Sequence, residues 1–274
     1  MIHLRASRFH RTSCFGGQVG GQGARGFSLV ELLVALVICS VIAAIIGGLV
    51  PPARAAFEQT PAALELQQRG RTAIDAIAQA VRSAGIVGVV PPLVLSVPDQ
   101  SGERFTRLLA IARTLHAAEG ILESDQQGPS GDLLLSQSSC PAVREVCGFS
   151  RGASAVIADG AGRFDLFSVT ATNDGLNSLS SSVSFAQSYP AGSVVVEVDA
   201  YTFHLDAQPD GSKTLVRQTV AGAIQPIVDH VADLSFQALG GQLEVSLTLQ
   251  AATAEYRRVP DRAFRAALFL RNGR

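Results

Sequence analysis

The segment Arg25-Gly26-Phe27-Ser28-Leu29-Val30-Glu31 stands directly before a long apolar run, and this order decides the architecture of the chain. The apolar run, residues 32–50, contains 19 residues without a charge, and Ser40 is its only clearly polar member. As a helix it would reach about 28 Å, close to the hydrocarbon thickness of a bilayer. The sequence therefore predicts a membrane-spanning helix near the N-terminus.

Charge is distributed unevenly around this run. Residues 1–26 contain no Asp or Glu, and four arginines precede the apolar run, namely Arg5, Arg8, Arg11 and Arg25. Positive charge marks the cytoplasmic side of a membrane helix. We therefore expect residues 1–26 to lie in the cytoplasm and the remainder of the chain to be exported.

Glu31 is the anomaly at the edge of the apolar run. A carboxylate costs about 2.5–3.5 kcal/mol at the centre of a membrane helix and less near the interface, so such an acid is a functional candidate. If the chain is cut between Gly26 and Phe27, the new α-amine of Phe27 lies four residues before Glu31. That amine, on the same subunit or on a neighbour, is the natural counter-charge.

Residues 26–36, Gly-Phe-Ser-Leu-Val-Glu-Leu-Leu-Val-Ala-Leu, resemble the N-terminal signature of type IV prepilins and type II secretion pseudopilins. In that family a membrane peptidase cuts after the Gly and methylates the new N-terminal residue, and the acid guides subunit assembly. The resemblance implies that Gly26 ends the leader, that Phe27 is the methylated terminus and that Glu31 is the assembly acid. It implies three partners: prepilin peptidase, other minor or major pilins, and the inner membrane. One departure is the leader, which is long and rich in glycine.

An ordinary signal anchor is the alternative for this segment. Gly26 would then be a linker glycine, and Glu31 would be a first-turn acid favoured by the helix dipole. A conventional secretory signal fits less well, because the apolar run is longer than the usual apolar region of a signal peptide.

The resemblance also divides the chain. It implies a cleaved leader at 1–26, a transmembrane helix half at 27–50, a periplasmic helix half at 51–90 and a globular, β-rich domain at 91–274. With 47% hydrophobic and 16% charged residues, the chain is not disordered. Loss of the four leader arginines leaves 18 of the 22 basic residues against 23 acidic ones, so no nucleic-acid partner is predicted.

The segment that follows the apolar run has helical character with a predicted interruption. Gly47-Gly48 and Pro51-Pro52 are expected to weaken or break the helix, and Thr60 with Pro61 would start it again as N-cap and first-turn proline. An apolar stripe at helical spacing follows, and Gly85 is expected at the position after the last turn. The stripe consists of Ile74, Ile77, Ala78 and Val81.

Two short motifs in this helical segment resemble PilW-like minor pilins. They are Gln67-Gln68-Arg69-Gly70-Arg71 and Arg82-Ser83-Ala84-Gly85. The chain end, Leu270-Arg271-Asn272, is similar to the terminal strand of the same proteins.

After Pro91 the pattern changes to strands. Apolar residues alternate with polar ones from Leu243 to Gln250, which predicts a half-buried strand, and Tyr201–Leu205 predicts another, joined through the turn 206–211 to residues 215–217 as a hairpin. We expect residues 177–188, with six serines, to form a surface loop. Further candidate strands are Asp132–Ser136, Ser154–Ala158, Phe164–Thr170, Val194–Val198 and Phe264–Leu270. The predicted fold class is α+β, with a long membrane-inserting helix packed on an antiparallel sheet, which is the pilin-like architecture that the resemblance implies.

The cysteines agree with export. Cys140 and Cys147 are separated by six residues, and a disulfide closing this loop in an oxidising compartment would contribute roughly 2–3 kcal/mol. A metal pair or two free thiols are the alternatives. Cys39 lies in the apolar run and Cys14 in the leader, so neither is expected to pair.

Enzymatic motifs are weak. Gly148-Phe149-Ser150-Arg151-Gly152 matches the G-x-S-x-G nucleophile elbow, which requires a strand before it and a helix after it. A simple turn is the favoured interpretation, and His204 is expected to be solvated on the polar face of its strand. We expect no catalytic residue, no cofactor and no metal site.

These observations predict an assembly protein of the inner membrane that later enters a pilus or pseudopilus. The resemblance implies a minor pilin that takes part in initiating or capping a type IV pilus after prepilin peptidase processing. A GspJ-like type II secretion pseudopilin is the close alternative. A membrane-anchored periplasmic serine hydrolase using Ser150, and an adhesin tip using the loops around residues 173–188, are alternatives from other classes.

Overall fold

The structure is a computed structural model that describes residues 28–85, 90–99, 102–114, 116–126, 132–136, 146–251 and 260–269, with the backbone alone for 49–60. The chain divides into two compact units, Met1–Ala55 and Ala56–Arg274. The first contains the apolar run, and the second contains an antiparallel sheet with the C-terminal half of a helix. The predicted α+β class, an apolar N-terminal helix followed by a large antiparallel sheet, is confirmed.

Helix α1 runs without a break from Leu29 to Ser83. The predicted interruption at Gly47-Gly48 and Pro51-Pro52 is wrong, and so is the predicted new start at Thr60 and Pro61. The two prolines lack N–H groups, so the carbonyls of the two glycines lose their usual partners four residues ahead. The long helical stretches on both sides tolerate this local cost.

Thirteen strands follow in the described residues, all of them in antiparallel pairs. They are β1 (Leu93–Pro98), β2 (Phe105–Arg113), β3 (Glu119–Ile121), β4 (Asp132–Leu134), β5 (Ser154–Ala158), β6 (Phe164–Asn173), β7 (Ser178–Ser181), β8 (Val194–Ala207), β9 (Lys213–Thr219), β10 (Ile224–Val228), β11 (Val231–Leu239), β12 (Gln242–Leu249) and β13 (Arg262–Phe269). A short 3-10 turn lies at Val146–Gly148.

The sheet is organised around the 14-residue strand β8. The strand order is β13-β12-β11-β2-β8-β5-β6-β7-β4, with β1 on β2, β3 and β9 on β8, and β10 on β9. The first part of β8 pairs with β3 and β5, and its second part pairs with β2 and β9. One strand therefore joins two parts of the sheet.

The predicted strands are found with few corrections. The predicted β5 has the observed bounds, the alternating strand is β12, and the predicted hairpin is formed by β8 and β9. The two predicted segments Val194–Val198 and Tyr201–Leu205 belong to a single strand. The predicted surface loop at 177–188 is wrong in part, because it contains β7 and the fully buried Leu179.

The C-terminal half of α1 packs its apolar stripe on the sheet. Ile77, Ala78 and Val81 are buried as predicted, and Ile74 is half-buried. The buried positions continue towards the N-terminus at Ala62, Leu66 and Ala73. Their partners on the sheet include Leu108, Phe203, Phe236, Val245 and Leu247.

Gly70 of α1 lies against the sheet at strand β13. A Cβ built on Gly70 would overlap the aromatic ring of Phe264 on β13. A side chain at position 70 would therefore require the ring of Phe264 to move.

The helix ends as predicted but by another geometry. Gly85 has φ 145°, a region that favours glycine. Its N–H donates to the carbonyl of Ile111 at 2.9 Å, and it forms a parallel bridge with Ala112 on β2. The end of α1 is thereby attached directly to the sheet.

Candidate functional site

The span Leu29–Gly48 of α1 is long and apolar enough to cross a membrane, judged by length and composition. Every large apolar side chain in it is exposed in the structure. Such a surface does not remain in water, because burial of one Leu or Ile side chain is worth roughly 1.5–3 kcal/mol. The surroundings that cover it must come from a bilayer or from other protein chains.

Glu31 is the single charged residue in this span and lies in the first turn of α1. The backbone around it is regular, with the Leu32 N–H donating to the Ser28 carbonyl at 3.1 Å. The Glu31 side chain is exposed and makes no ion pair or hydrogen bond with a described residue. Gly26 and Phe27 lie outside the described residues, so cleavage, methylation and the pairing of Glu31 with the Phe27 amine stay predictions.

Ser40, the polar side chain deeper in the span, finds its hydrogen-bond partner within the helix. The Ser40 hydroxyl donates to the Val37 carbonyl at 2.8 Å, one turn earlier in the helix. The thiol of Cys39 beside it is free and exposed. Ser40 therefore enters an apolar environment at little cost, whereas Glu31 brings a charge that no described residue compensates.

Residues 22–47 match the family model described as the prokaryotic N-terminal methylation motif. The N-terminal segment is therefore similar to that of type IV prepilins and pseudopilins. No curated protein and no solved structure matches the chain. The matched residues include the predicted cleavage site and Glu31, and a motif of this kind implies processing by prepilin peptidase and assembly with other pilins.

Arg69 connects α1 to the sheet within the second unit. Its guanidinium lies 2.6 Å from Asp229 Oδ1 and also donates to the Asp229 carbonyl oxygen, while Glu65 one turn earlier is 3.9 Å away. The Arg69 side chain is only 15% exposed. Sequence reasoning singled out Arg69 only as part of a short motif and missed Asp229, because no local pattern joins residues so far apart along the chain.

An open groove of 620 Å³ lies beside this ion pair. Its rim carries Glu65, Asp206 and Asp229, and its floor is apolar, with Val216, Pro226 and Val228. Arg69 already neutralises part of the acidic rim. The polar groups that line this groove do not form an acid–base or nucleophile–base arrangement.

The predicted disulfide is only half described. Cys147 is buried in the 3-10 turn with φ 53°, and its sulfur packs 3.2 Å from where a Cβ on Gly120 would lie. Cys140 lies outside the described residues. The pairing of Cys140 with Cys147 therefore stays a prediction.

Ser150 lies in a turn and not on a nucleophile elbow. The 3-10 turn precedes it, and the Ala153 N–H donates to the Ser150 carbonyl at 3.1 Å before β5 begins. The G-x-S-x-G motif requires a strand before the serine and a helix after it. The local geometry therefore favours the turn interpretation.

His204 differs from its prediction. It is half-buried on β8, and its Nδ1 is buried without a hydrogen-bond partner among the described residues. Burial, assisted by the positive charge of Arg107, lowers the pKa of His204. The expectation of a solvated histidine therefore holds only in part, because the ring keeps intermediate exposure while its Nδ1 is buried.

Two polar, turn-like segments, at residues 173–175 and 206–210, could supply oxygen ligands to a cation, but both form ordinary turns. Asn173 Oδ1 accepts hydrogen bonds from the N–H groups of Gly175 and Leu176, and Asp210 Oδ1 accepts from the N–H and hydroxyl of Ser212. The polar side chains are thereby used to shape the backbone. No group of three metal-binding side chains occurs in the part of the chain that the structure describes.

Proposed function

We propose that the chain is a minor pilin that takes part in the initiation or capping of a type IV pilus. Prepilin peptidase removes residues 1–26 and methylates Phe27, and the apolar half of α1 moves from the inner membrane into the filament. The sheet domain is exported and serves assembly, without enzymatic activity. The resemblance of the motif around Arg69 and Gly70 to PilW-like minor pilins supports the finer assignment.

One observation carries this proposal. Glu31 is a lone carboxylate, without a described partner, in a fully exposed apolar span that begins at Leu29, two residues after Phe27. In a bundle of such helices the α-amine of a neighbouring Phe27 neutralises it. The ion pair strengthens as water is excluded, and loss of one member leaves the other buried and uncompensated, at a cost of about 3–5 kcal/mol.

The roles of the other motif residues fit the same proposal. Arg69 and Gly70 fix α1 on the sheet through Asp229 and Phe264, and Gly85 fixes the helix end on β2. These contacts hold the domain on the helix that carries the assembly acid. A subunit built in this way is suited to a structural task in a filament.

The test compares Glu31→Ala with the wild-type chain. Co-purification of detergent-extracted subunits with partner pilins should fall by about 100-fold or more, which corresponds to the cost above. Mass spectrometry of the mature N-terminus should still show cleavage before an N-methylated Phe27. Asp75→Ala, on an exposed position of the same helix, is the matched control and should assemble normally.

Two outcomes contradict the proposal. An intact leader, or a terminus elsewhere, removes the processing step. Normal assembly of the cleaved Glu31→Ala chain reduces Glu31 to a first-turn acid stabilised by the helix dipole.

A GspJ-like pseudopilin is the second candidate, because the methylation motif fits both systems equally. Deletion of the gene separates them. Loss of surface pili with normal protein secretion supports the minor pilin, and loss of secretion with normal pili supports the pseudopilin.

A further inference from the structure

The edge strands of the sheet differ in how far their free sides are blocked against pairing with another strand. Among the described residues five strands pair with a single neighbour: β1, β3, β4, β10 and β13. The free side of such a strand presents unpaired N–H and C=O groups, which attract another strand, and natural proteins usually blunt it. Four of these five strands carry a feature that hinders pairing on the free side, and one does not.

Four of the five edges are blunted. β3 and β4 have three residues each. β10 contains Pro226, which lacks an N–H, and its register shifts between Pro226 and Val228. β1 ends in Pro98, and the preceding Val97 has a left-handed φ of 61°, which interrupts the regular strand geometry.

β13 carries none of these devices. All eight of its residues pair with β12 in unbroken register, from Arg262 opposite Leu249 to Phe269 opposite Gln242. It contains no proline and no bulge. Alternate residues therefore direct their N–H and C=O groups away from β12, and no described strand accepts them.

The side chains of β13 suit a partner on this edge. One face packs towards α1 through Phe264, Ala266 and Leu268. Arg262 and Arg265 are exposed, and neither makes an ion pair with a described carboxylate. The edge therefore offers backbone groups together with two exposed arginines, of which Arg265 shares a small pocket with Glu244 and Arg104.

We propose that β13 is the docking edge for an extended, acidic strand of a neighbouring pilin-family subunit. The proposal rests on the assembly function above and names the part of the sheet domain that takes part in it. Backbone hydrogen bonds supply affinity in this mode, and side chains opposite Arg262 and Arg265 supply specificity. Phe264 lies against Gly70 of α1, so the edge is continuous with the helix that carries assembly.

Two adjacent alanines of β13 provide a matched pair of variants. Neighbouring residues of a strand direct their N–H groups to opposite sides, so one of Ala266→Pro and Ala267→Pro removes a bond to β12 and the other removes an outward N–H. Thermal unfolding identifies the outward variant as the one that keeps its stability. That variant should lose the interaction, because proline cannot donate to the incoming strand.

A charge variant tests the contribution of Arg262 and Arg265 to docking, independently of the backbone hydrogen bonds. The double change Arg262→Glu with Arg265→Glu should weaken pairwise association by about tenfold or more, because attraction is replaced by repulsion. Arg151→Glu, in an exposed turn, makes the same kind of change elsewhere and should bind within about twofold of wild type. Association is measured with the full chain, co-expressed with each pilin-family subunit of the same organism in turn.

Hydrogen exchange gives the direct readout. In the free chain one alternate set of β13 amides should exchange rapidly, and in the complex this set should become protected. Unchanged exchange in a complex, or wild-type binding by both the outward proline variant and the charge variant, overturns the inference. Concentration-dependent protection in the purified chain alone also overturns it, because the partner is then a second copy.

The same experiment separates this inference from the proposed function. If Glu31→Ala weakens assembly while the β13 variants assemble normally, the assembly function stands and the docking edge is wrong. If the wild-type chain associates with no pilin-family subunit, the proposed function is wrong and the docking edge is wrong with it.

Discussion

The two halves of α1 use the same helix in opposite ways. In Leu29–Gly48 every described side chain is exposed, and the apolar residues surround the helix on all sides. From Ala62 to Ala84 a narrow stripe of small and branched residues is buried, and the opposite face is polar. A helix that is apolar all round takes its burial from outside the chain, whereas an amphipathic helix takes it from its own domain.

Two carboxylates, one in the sheet domain and one in the apolar half of α1, differ in the same way. Asp159, with 4% of its side chain exposed, accepts hydrogen bonds from the backbone N–H groups of Ala161 and Arg163 and from the Arg163 guanidinium. Glu31 has no such partner among the described residues. The buried charge in the sheet domain is thus satisfied within a few residues, whereas the structure shows no described partner for the charge in the apolar half.

Truncation of one isoleucine in each half of α1 is the strongest test of whether the two halves contribute differently to the stability of the domain. Ile77→Ala removes a fully buried side chain and should lower the free energy of unfolding of the sheet domain by about 2–5 kcal/mol. Ile42→Ala removes an exposed side chain of the same type and should leave that free energy unchanged. Denaturant unfolding of the detergent-solubilised chain checks both, and equal losses would show that the halves do not differ.

Loss of the predicted disulfide should have the next largest effect on the free energy of unfolding. Cys147→Ser should lower the free energy of unfolding by roughly 2–3 kcal/mol under non-reducing conditions, because the closed loop constrains the unfolded chain. Reductant should cause the same loss in wild type and none in the variant. Thiol labelling of unfolded, unreduced chain should leave Cys140 and Cys147 unlabelled, and labelling of both contradicts the bond and the oxidising compartment.

Two glycines of α1 provide a smaller and more specific test. Gly70→Ala should lower the free energy of unfolding by about 1–3 kcal/mol, because its methyl group overlaps Phe264. Gly47→Ala meets no atom within 4 Å and should stabilise the helix by up to about 1 kcal/mol. Phe264→Leu should restore part of the stability of Gly70→Ala, and no restoration would mean that another contact causes the loss.

The Asp159 contrast predicts a dependence on pH. Burial alone would raise its pKa, but the hydrogen bonds and charge of Arg163, with the Ala161 N–H, hold the pKa of Asp159 below its usual value of 3.8. The stabilisation is therefore complete above the unfolded pKa of about 3.8 and is lost as the pH falls through the lower folded value.

Asp159→Asn should consequently be less stable than wild type near neutral pH, and the difference should vanish in strong acid. The measurement is the free energy of unfolding of both chains between neutral pH and strong acid. Arg163→Gln should show the same trend with a smaller amplitude. A difference that persists in strong acid would assign the loss to packing.

The parts of this protein that follow from the local periodicity of apolar residues could be predicted from the sequence. The apolar span, the stripe at Ile77 and Val81 and the strands β5 and β12 follow from periodicity, and the fold class follows from their order. The pairing of Arg69 with Asp229 and the contact of Gly70 with Phe264 join distant segments, and no local pattern indicates them.

The errors have physical causes as well. The helix continues through Pro51 and Pro52 because long helical segments support it on both sides. Serine-rich β7 was predicted as a loop because its single buried residue, Leu179, is too weak a periodic signal. The site residues Gly26, Phe27 and Glu31 were identified from a motif and remain to be tested by experiment.

The contact between Gly70 and Phe264 has a consequence for the order of synthesis. The helix is made early, but β13, which closes over it, is the last described strand to leave the ribosome. Strands β2, β8 and β12 already supply Leu108, Phe203 and Val245 to the apolar stripe of α1, so β13 covers only the part of the stripe around Gly70, through contacts that are among the most distant in the chain. A chain that stops before β13 leaves this part of the helix uncovered, although the rest of the domain is complete.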